Sequence, residues 1–497
     1  MTIIDWIIVA IYAISTIALG SYFGRRQESA KDYFIGSGAM NPILIGVSLF
    51  ATLLSTITYL AVPGEIAGKG PVYLTNYLAY PLVFLVVGFV ILPVYMRQRV
   101  TSAYSLLENQ LGVSIRLLGA SMFLMLRLVW MALLVYLTAK AIAVMIGVDE
   151  AAIPLIVIVT GFFAIAYTSL GGLRAVVITD LMQTILLYGG ALLVIGTVTW
   201  KMGGFSWVPT EWPSNWDEQP LFSFDPSTRV TVLGSLMSVF LWMIATMAGD
   251  QVSVQRFMAT KNAQTARKAL AMQLSVSCVV GATLGVVGLA LLGYFQAFPE
   301  LLPQAGRLDG QADALFPHFI AFELPPVIAG LVVAGLFAAA MSSIDSGVNS
   351  ITAVVMSEVL VRTTDQEMEA SRQVYFSRWL AVAIGTIVVL GSSVMDQVPG
   401  NFMAVTQKTV NLFTVPIALL FFFALFVPFA NAKGVWIATL ASVLTAGTIS
   451  FSGVIFGVDP VTGLDPVSFQ WISPAALVVG VSVGLVSCYL LKPKSIS

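Results

Sequence analysis

The chain has few of the residues on which soluble proteins and nucleic-acid-binding proteins depend. Only 10% of its 497 residues are charged, against about a quarter in a soluble globular chain, so water is excluded as the main solvent. The formal net charge is −1 and no concentrated basic face is present, which excludes nucleic acid as a partner. The only cysteines, Cys278 and Cys488, lie far apart in apolar segments, which predicts two buried free thiols.

Apolar sequence, in contrast, is abundant. The chain is 58% hydrophobic with a mean hydropathy of +0.92, and a membrane helix needs about 20 mostly apolar residues. Hydropathy and helix-breaking residues predict thirteen spans, near residues 3–23, 40–62, 72–95, 116–147, 151–168, 175–200, 230–250, 269–297, 326–357, 375–395, 402–428, 433–453 and 470–491. We therefore predict one all-α integral membrane domain, residues 1–497, whose first span is retained.

Lysine and arginine are distributed unevenly between the predicted loops. Seventeen of the 24 basic residues lie in loops on one side and four on the other, which predicts that the N-terminus is outside and the C-terminus inside. The loop of residues 203–227 then lies outside, and it carries Trp207, Trp212 and Trp216. These tryptophans indicate either aromatic residues at the membrane interface or a lid over a solute path.

Two aspartates, Asp180 and Asp345, fall inside predicted spans. An ionisable group at the bilayer centre costs about 2.5–3.5 kcal/mol on insertion scales, so each marks a functional site or an ion pair. Ala339, Ser342 and Ser343 stand at i, i+3 and i+4 and therefore share one helical face with the next serine along the chain. This serine face favours a site for a hard cation, while close packing of small residues is the alternative.

The second predicted span begins apolar and then carries Thr52, Ser55, Thr56 and Thr58 ahead of a Pro-Gly pair. An intact helix has no backbone carbonyls to spare for an ion, so this pattern predicts a helix that is interrupted in the membrane opposite the serine face. Hydroxyls that bond back to their own helix are the simpler explanation.

Six stretches in order, between about Tyr33 and Phe426, resemble the sodium:solute symporter family. They are residues 31–34, 48–58, 101–108, 171–180, 250–256 and 337–350. The resemblance implies a leucine-transporter-like fold with inverted repeats of five plus five helices, at residues 40–200 and 230–428, each beginning with a broken helix. An extra N-terminal helix, residues 3–23, and two C-terminal helices, residues 433–491, would flank the repeats.

The same resemblance implies two cation sites. The principal sodium site would use the backbone carbonyls of Ala51, Leu54 and Ala339 and the hydroxyls of Ser342 and Ser343. A possible second sodium site would use Asp180, Ser342, Asp345 and Ser346. Relatives have a hydroxyl at the position of Asp345. The carboxylate of Asp345 would bind sodium, bind a proton or pair with Arg174. One or two sodium ions would accompany each solute.

The solute is expected at the interrupted second span, on the outward side of the ion. Its candidate ligands are Ser55, Thr58, Asn76, Trp130, Trp242, Thr246 and Gln407. Gln407 resembles the glutamine with which sugar-transporting relatives hold a hydroxyl, which favours a sugar or sugar derivative. Trp130 stands where a sialic acid relative has its carboxylate-binding arginine, although Arg127 one turn earlier would be a replacement. A monocarboxylate or another organic anion stays open.

The resemblance thus implies a sodium-coupled symporter of the cell inner membrane that imports a small polar solute by alternating access. Its expected partners are the solute and membrane lipid, and it would act as a monomer or weak oligomer. A proton-coupled symporter, with Asp180 or Asp345 as the titrating group, is the alternative. The sequence has no H-E-x-x-H, G-x-S-x-G or phosphate-loop motif, so we predict no enzymatic activity.

Overall fold

The computed structural model describes residues 1–24, 40–54, 56–98, 102–302, 312–356, 370–395, 401–460 and 462–491. Within these ranges every regular element is a helix, which confirms the all-α class. The helices are α1 (Ile3–Gly24), α2 (Pro42–Leu53), α3 (Thr56–Lys69), α4 (Pro71–Arg97), α5 (Ser105–Leu111), α6 (Val113–Ile146), α7 (Ile153–Lys201), α8 (Val232–Gly249), α9 (Gln251–Met258), α10 (Ala263–Ala297), α11 (Ala312–His318), α12 (Ile328–Val355), α13 (Ala370–Ser392), α14 (Phe402–Phe426), α15 (Ala432–Ser450), α16 (Ser452–Phe456) and α17 (Ile472–Leu490).

Membrane-spanning helices account for most of the described chain. Ten are long and apolar enough to cross a membrane, and α2 with α3, bent by 65°, would form an eleventh. Two shorter apolar segments, Ile3–Leu19 and Ile153–Phe162, occur in addition. A chain with many membrane-spanning helices is therefore confirmed. The count of thirteen spans and the locations of the two termini, outside and inside, stay predictions.

One pair of predicted spans differs in the structure. Residues 151–168 and 175–200 were expected as separate spans, but α7 runs without a break over 49 residues. The glycine pair between them lowers helix propensity by about 1 kcal/mol per residue but, unlike proline, keeps its N–H groups, so it does not force a break. A straight helix of this length would measure about 74 Å, more than twice the ~30 Å hydrocarbon core. For residues 163–175 the structure describes the backbone only.

Helix α12 lies at the centre of the bundle and is buried along almost its whole length. It packs against α1, α2, α6 and α7. Its first turn is capped from another helix, because the Asp5 carboxylate of α1 accepts hydrogen bonds from the N–H groups of Val327 and Gly330, at 2.8 and 3.0 Å. The additional helix α1 is thus bonded directly to the helix that carries the serine face.

A second helix break lies between α8 and α9. The two helices are separated only by Asp250, which is extended with φ −92° and ψ 120°. Its carboxylate accepts a hydrogen bond from the N–H of Val252 at 2.9 Å and so caps α9. The hydroxyls of Tyr95 and Tyr104 donate to the carbonyls of Ala248 and Gly249, which the break leaves without helical partners. Each predicted repeat therefore begins with an interrupted helix.

The two cysteines are free, but they differ in burial. Cys488 is buried as predicted, whereas Cys278 on α10 is exposed, so the predicted burial of both is wrong. Hydropathy could not separate them, since a lipid-facing position and a core position are equally apolar.

Candidate functional site

The end of α2 lies against the serine face of α12. The helix stops at Leu54, whose φ of −85° and ψ of 100° are extended, so the carbonyls of its last turn lose helical partners. The hydroxyl of Ser343 donates to the Thr52 carbonyl at 3.3 Å. The Thr52 hydroxyl lies 2.9 Å from the Ser346 hydroxyl. Backbone and hydroxyl oxygens from two helices therefore meet where the sequence predicted an interrupted helix.

The five predicted ligands of the principal ion site lie on these two segments, and each is at most 7% exposed. They are Ala51 and Leu54 at the end of α2, and Ala339, Ser342 and Ser343 on α12. The Ser342 hydroxyl donates a hydrogen bond to a carboxylate oxygen of Asp180 at 2.5 Å. With both serine protons directed elsewhere, the hydroxyl lone pairs stay available to a cation. Neutral oxygen ligands of this kind suit a hard cation.

A buried charge network adjoins these serines. Asp180 on α7 is fully buried and accepts hydrogen bonds of 2.5 Å from Ser48 and Ser342. The guanidinium of Arg256 on α9, also fully buried, lies 3.6 Å from the Asp180 carboxylate. It also donates to Ser48 at 2.9 Å and to Ser346 at 2.5 Å. Three of the four predicted second-site residues, Asp180, Ser342 and Ser346, therefore share one network.

Arg256 lies between the predicted spans 230–250 and 269–297 and is therefore one of the seventeen basic residues predicted in loops on the cytoplasmic side. That loop position is wrong, because Arg256 is fully buried on α9. A buried guanidinium needs a carboxylate partner, and Asp180 supplies it from a different helix. No local pattern in the sequence indicates that pairing. Asp345 is buried on α12 one turn from Ser342. The side chain of Arg174, its suggested partner, lies outside the described residues, so the role of Asp345 stays a prediction.

A cavity of about 120 Å³ lies between the broken helix and α4, α6, α8, α10 and α14. Five of the seven predicted solute ligands line it: Thr58, Asn76, Trp130, Trp242 and Gln407. Thr246 instead lines a smaller cavity of about 20 Å³, which shares Trp130 and Trp242 with the larger one. Ser55 lies outside the described residues. Sequence reasoning missed Tyr73, Tyr77, Gln273 and Ser277, which also border the larger cavity.

Hydrogen bonds fix the orientation of Gln407 in this cavity. Its amide nitrogen donates to the Tyr73 hydroxyl at 3.0 Å, and its amide oxygen accepts from Asn411 at 2.8 Å. Asn76 donates to the carbonyl of Tyr73 in its own turn at 2.6 Å. These polar groups are therefore held in place before any solute arrives.

Arg127 was considered as a ligand for a solute carboxylate, and the structure gives it another partner. Its guanidinium forms an ion pair with Asp250 at the break between α8 and α9, and both side chains are buried. The pair borders the small cavity and not the large one. A terminal nitrogen of Arg127 is therefore used by Asp250, while its Nε has no hydrogen-bond partner within the described part of the chain.

Residues 33–442 match the family model of the sodium:solute symporter family. The chain belongs to this family. The symporter is accordingly a multi-span transporter of the inner membrane rather than an enzyme, and sodium is its coupling ion.

Several relatives of the symporter are known. It is 28% identical to a sodium/sialic acid symporter of Proteus mirabilis (strain HI4320), over 89% of this chain and 88% of that protein. It is 26% identical to the sodium-coupled monocarboxylate transporter 1 of Mus musculus, over 88% of this chain and 71% of that protein. A solved Na⁺-coupled sialic acid symporter, substrate-bound and outward-open, has the same fold with a TM-score of 0.82 at 24% identity, over 99% of both chains.

The C-terminal end of α3 in the symporter is held by a cluster of four charged residues, which we call the α3-end cluster: Glu65, Lys69, Asp217 and Arg229. The Arg229 guanidinium forms an ion pair with the buried Glu65 and donates to Asp217 at 2.6 Å. Burial lowers the pKa of Arg229, but the two carboxylates outweigh it and raise that pKa above its usual range. Lys69 lies 3.5 Å from Asp217 and is more exposed.

The loop between α7 and α8 covers this end of α3. The indole N–H of Trp216 and the amide of Asn215 both donate to the Ala67 carbonyl, at 3.3 and 2.8 Å. Trp207 and Trp216 are only 4% and 6% exposed, so the membrane-interface interpretation is wrong for these two residues. Gly70, with φ +97°, follows α3, and a Cβ there would lie 3.2 Å from the Trp216 ring.

Proposed function

We propose that the chain imports a small polar organic solute, a sugar or sugar derivative, with one or two sodium ions by alternating access. The observation that supports the ion site is the contact between the end of α2 and α12. There the hydroxyl of Ser343 reaches the carbonyl of Thr52 at the point where the helix is interrupted. Sodium bound by Ala51, Leu54, Ala339, Ser342 and Ser343 would hold these two segments together.

Sodium binding would favour the state that binds solute, and solute would in turn favour sodium, because coupling between two sites is reciprocal. Each sodium ion moving inward gains about 2.3 kcal/mol per 100 mV and about 1.4 kcal/mol per tenfold gradient. One ion therefore sustains an accumulation of roughly several hundredfold. Alternating access would follow from two inverted repeats, at residues 40–200 and 230–428.

The solute class is supported by Gln407, which is held by Tyr73 and Asn411 at the cavity wall. The sialic acid symporters among the relatives favour a sugar derivative, whereas the monocarboxylate transporters favour an organic anion as the second candidate. A proton-coupled mechanism through Asp180 is less favoured, because that carboxylate pairs with the guanidinium of Arg256.

Substitution Ser343→Ala tests the ion site without knowledge of the solute. We expect the sodium concentration for half-maximal thermal stabilisation of the purified protein to rise at least about tenfold, since the site loses one of its five oxygen ligands. Ser350→Ala is the matched control, because this serine of the same helix is also buried and bonds Gln255 at 2.9 Å, away from the break. It should keep the wild-type sodium response.

Two results would count against the assignment. One is an unchanged sodium response in Ser343→Ala. The other is equal stabilisation of the wild type by potassium and by sodium. Uptake by proteoliposomes under an imposed sodium gradient, with choline as the replacement cation, tests the coupling itself.

A further inference from the structure

Two buried polar atoms at the larger cavity have no hydrogen-bond partner within the described part of the chain. One is the indole nitrogen of Trp130, a residue 8% exposed, and the other is the amide oxygen of Gln273, a residue 1% exposed. The amide nitrogen of Gln273 is already used, since it donates to Ser277 at 3.1 Å. A buried polar atom without a partner costs about 1–3 kcal/mol. One donor and one acceptor on side chains that line this cavity are therefore unsatisfied, and because both atoms are shielded from the cavity, a solute reaches them only when the side chains turn.

The described residues that line this cavity include no charged side chain. Its polar groups are hydroxyls and amides, such as those of Thr58, Asn76 and Gln407. Arg127 lines the small cavity and is bound to Asp250. Of the five residues proposed for the ion site, Leu54 borders the larger cavity, whereas Ala51, Ala339 and the two serines are not among its described lining residues. Four of the five proposed ligands therefore place sodium behind the cavity wall and not against the solute.

The magnitudes decide which charge state of solute this cavity accepts. Burying a carboxylate without a cationic partner costs several kcal/mol. The N-terminus of α3 borders the cavity through Ile57 and Thr58, and a helix N-terminus stabilises an anion by about 0.3–1 kcal/mol, rarely ~2. That gain is smaller than the cost. A neutral solute has no such cost and satisfies both unpartnered atoms.

We propose that the symporter selects an electrically neutral solute that carries hydroxyl or amide groups. A solute acceptor takes the N–H of Trp130, and a solute donor is bound by the amide oxygen of Gln273. The cavity of about 120 Å³ is below the ~300–1,000 Å³ of sites for drug-sized ligands, which favours a small solute such as a monosaccharide or polyol. The inference rests on the proposed function and narrows it, because it excludes sialic acid and monocarboxylates.

The test compares compounds in pairs that differ by a carboxylate. Purified full-length protein is heated in sodium or in choline with glucose or glucuronate and with glycerol or glycerate, and N-acetylneuraminate and lactate are added as further acids. We expect a neutral member to raise the melting temperature only when sodium is present. Its acidic counterpart should need at least about a tenfold higher concentration for the same shift.

Two substitutions test the residues themselves. Trp130→Phe keeps the ring and removes the N–H, and Gln273→Leu removes the acceptor. Each should raise the concentration of neutral solute for half-maximal stabilisation about tenfold, the loss expected for one buried hydrogen bond. The sodium concentration for stabilisation without solute should not change. Trp471→Phe is the matched control, because its indole nitrogen is also buried without a partner but lies outside the cavity.

The outcomes separate this inference from the proposed function. If an acid stabilises the protein with sodium while its neutral counterpart does not, the solute is an anion and the inference is overturned, although symport stands. Equal effects of Trp130→Phe and Trp471→Phe would also overturn it. If no member of either series responds to sodium, and proteoliposomes accumulate none of them under a sodium gradient, the proposed function fails as well.

Discussion

The α3-end cluster allows a prediction whose size follows from burial. Glu65 is 1% exposed and Arg229 is 9% exposed, so their ion pair is shielded from water. Substitution Glu65→Gln changes the formal charge of the four-residue cluster from 0 to +1 and leaves Asp217 as the only carboxylate beside Arg229. Removing one partner of a buried pair costs about 3–5 kcal/mol. Because Asp217 remains 2.6 Å from the guanidinium, we expect the lower end, about 3 kcal/mol.

The assay is the melting temperature of the purified protein in detergent, with Lys69→Gln as the control. The entropy of unfolding of a chain of this length corresponds to about 1 kcal/mol per degree, so Glu65→Gln should lower the melting temperature by about 3 °C or more. Lys69 has a side chain 43% exposed and lies 3.5 Å from Asp217, so its exposed pair contributes about 0–1 kcal/mol. Equal shifts for the two variants would refute the argument from burial.

Two further predictions concern pH and packing. Burial raises the pKa of Asp313 to about 6, opposed by the N–H of Phe402 and reinforced by Glu65. Because the pKa of Asp313 is higher in the folded than in the unfolded protein, its protonated form stabilises the fold. This stabilisation is complete below about pH 4 and is lost as the pH rises through about 6. The wild type should therefore lose about 1 kcal/mol of stability between about pH 5 and 7 that the Asp313→Asn variant does not lose. A Cβ at Gly288 would lie 2.6 Å from a backbone oxygen of α3, so Gly288→Ala should destabilise by about 1–3 kcal/mol. Gly196→Ala meets nothing within 4 Å and should stabilise by about 0.4–1 kcal/mol.

Melting temperatures check both predictions. An Asp313→Asn variant whose stability varies with pH as steeply as the wild type would contradict the assignment of that titration. If Gly288→Ala and Gly196→Ala shift the stability in the same direction, contact with α3 does not limit the space at Gly288.

Much of the fold could be predicted because its signals are local. Hydropathy depends on the composition of about 20 consecutive residues, and the helices lie where it placed spans, apart from the continuous α7. The serine face could be predicted because Ser342 and Ser343 share one side of one helix whatever surrounds it. The interruption after Leu54 was also expected, from hydroxyl-rich sequence ahead of a Pro-Gly pair.

The charged pairs could not be predicted in the same way. Arg256 stands in a polar run typical of a loop, yet it is buried against Asp180, and Arg127 is bound to Asp250 rather than free for a solute. Gln273 was also missed, since nothing in its neighbourhood on α10 distinguishes it from a polar residue that bonds across helices. Each of these roles depends on which side chain of another helix lies opposite.

The sequence by itself determined that the chain is a bundle of membrane helices with an oxygen-rich face and an interrupted helix, because those properties are set by neighbours along the chain. Only the tertiary structure decided which charges neutralise one another and which polar atoms are left at the cavity. In a low-dielectric interior a charge must find its partner at hydrogen-bond distance, and the packing of helices remote in sequence determines whether it does.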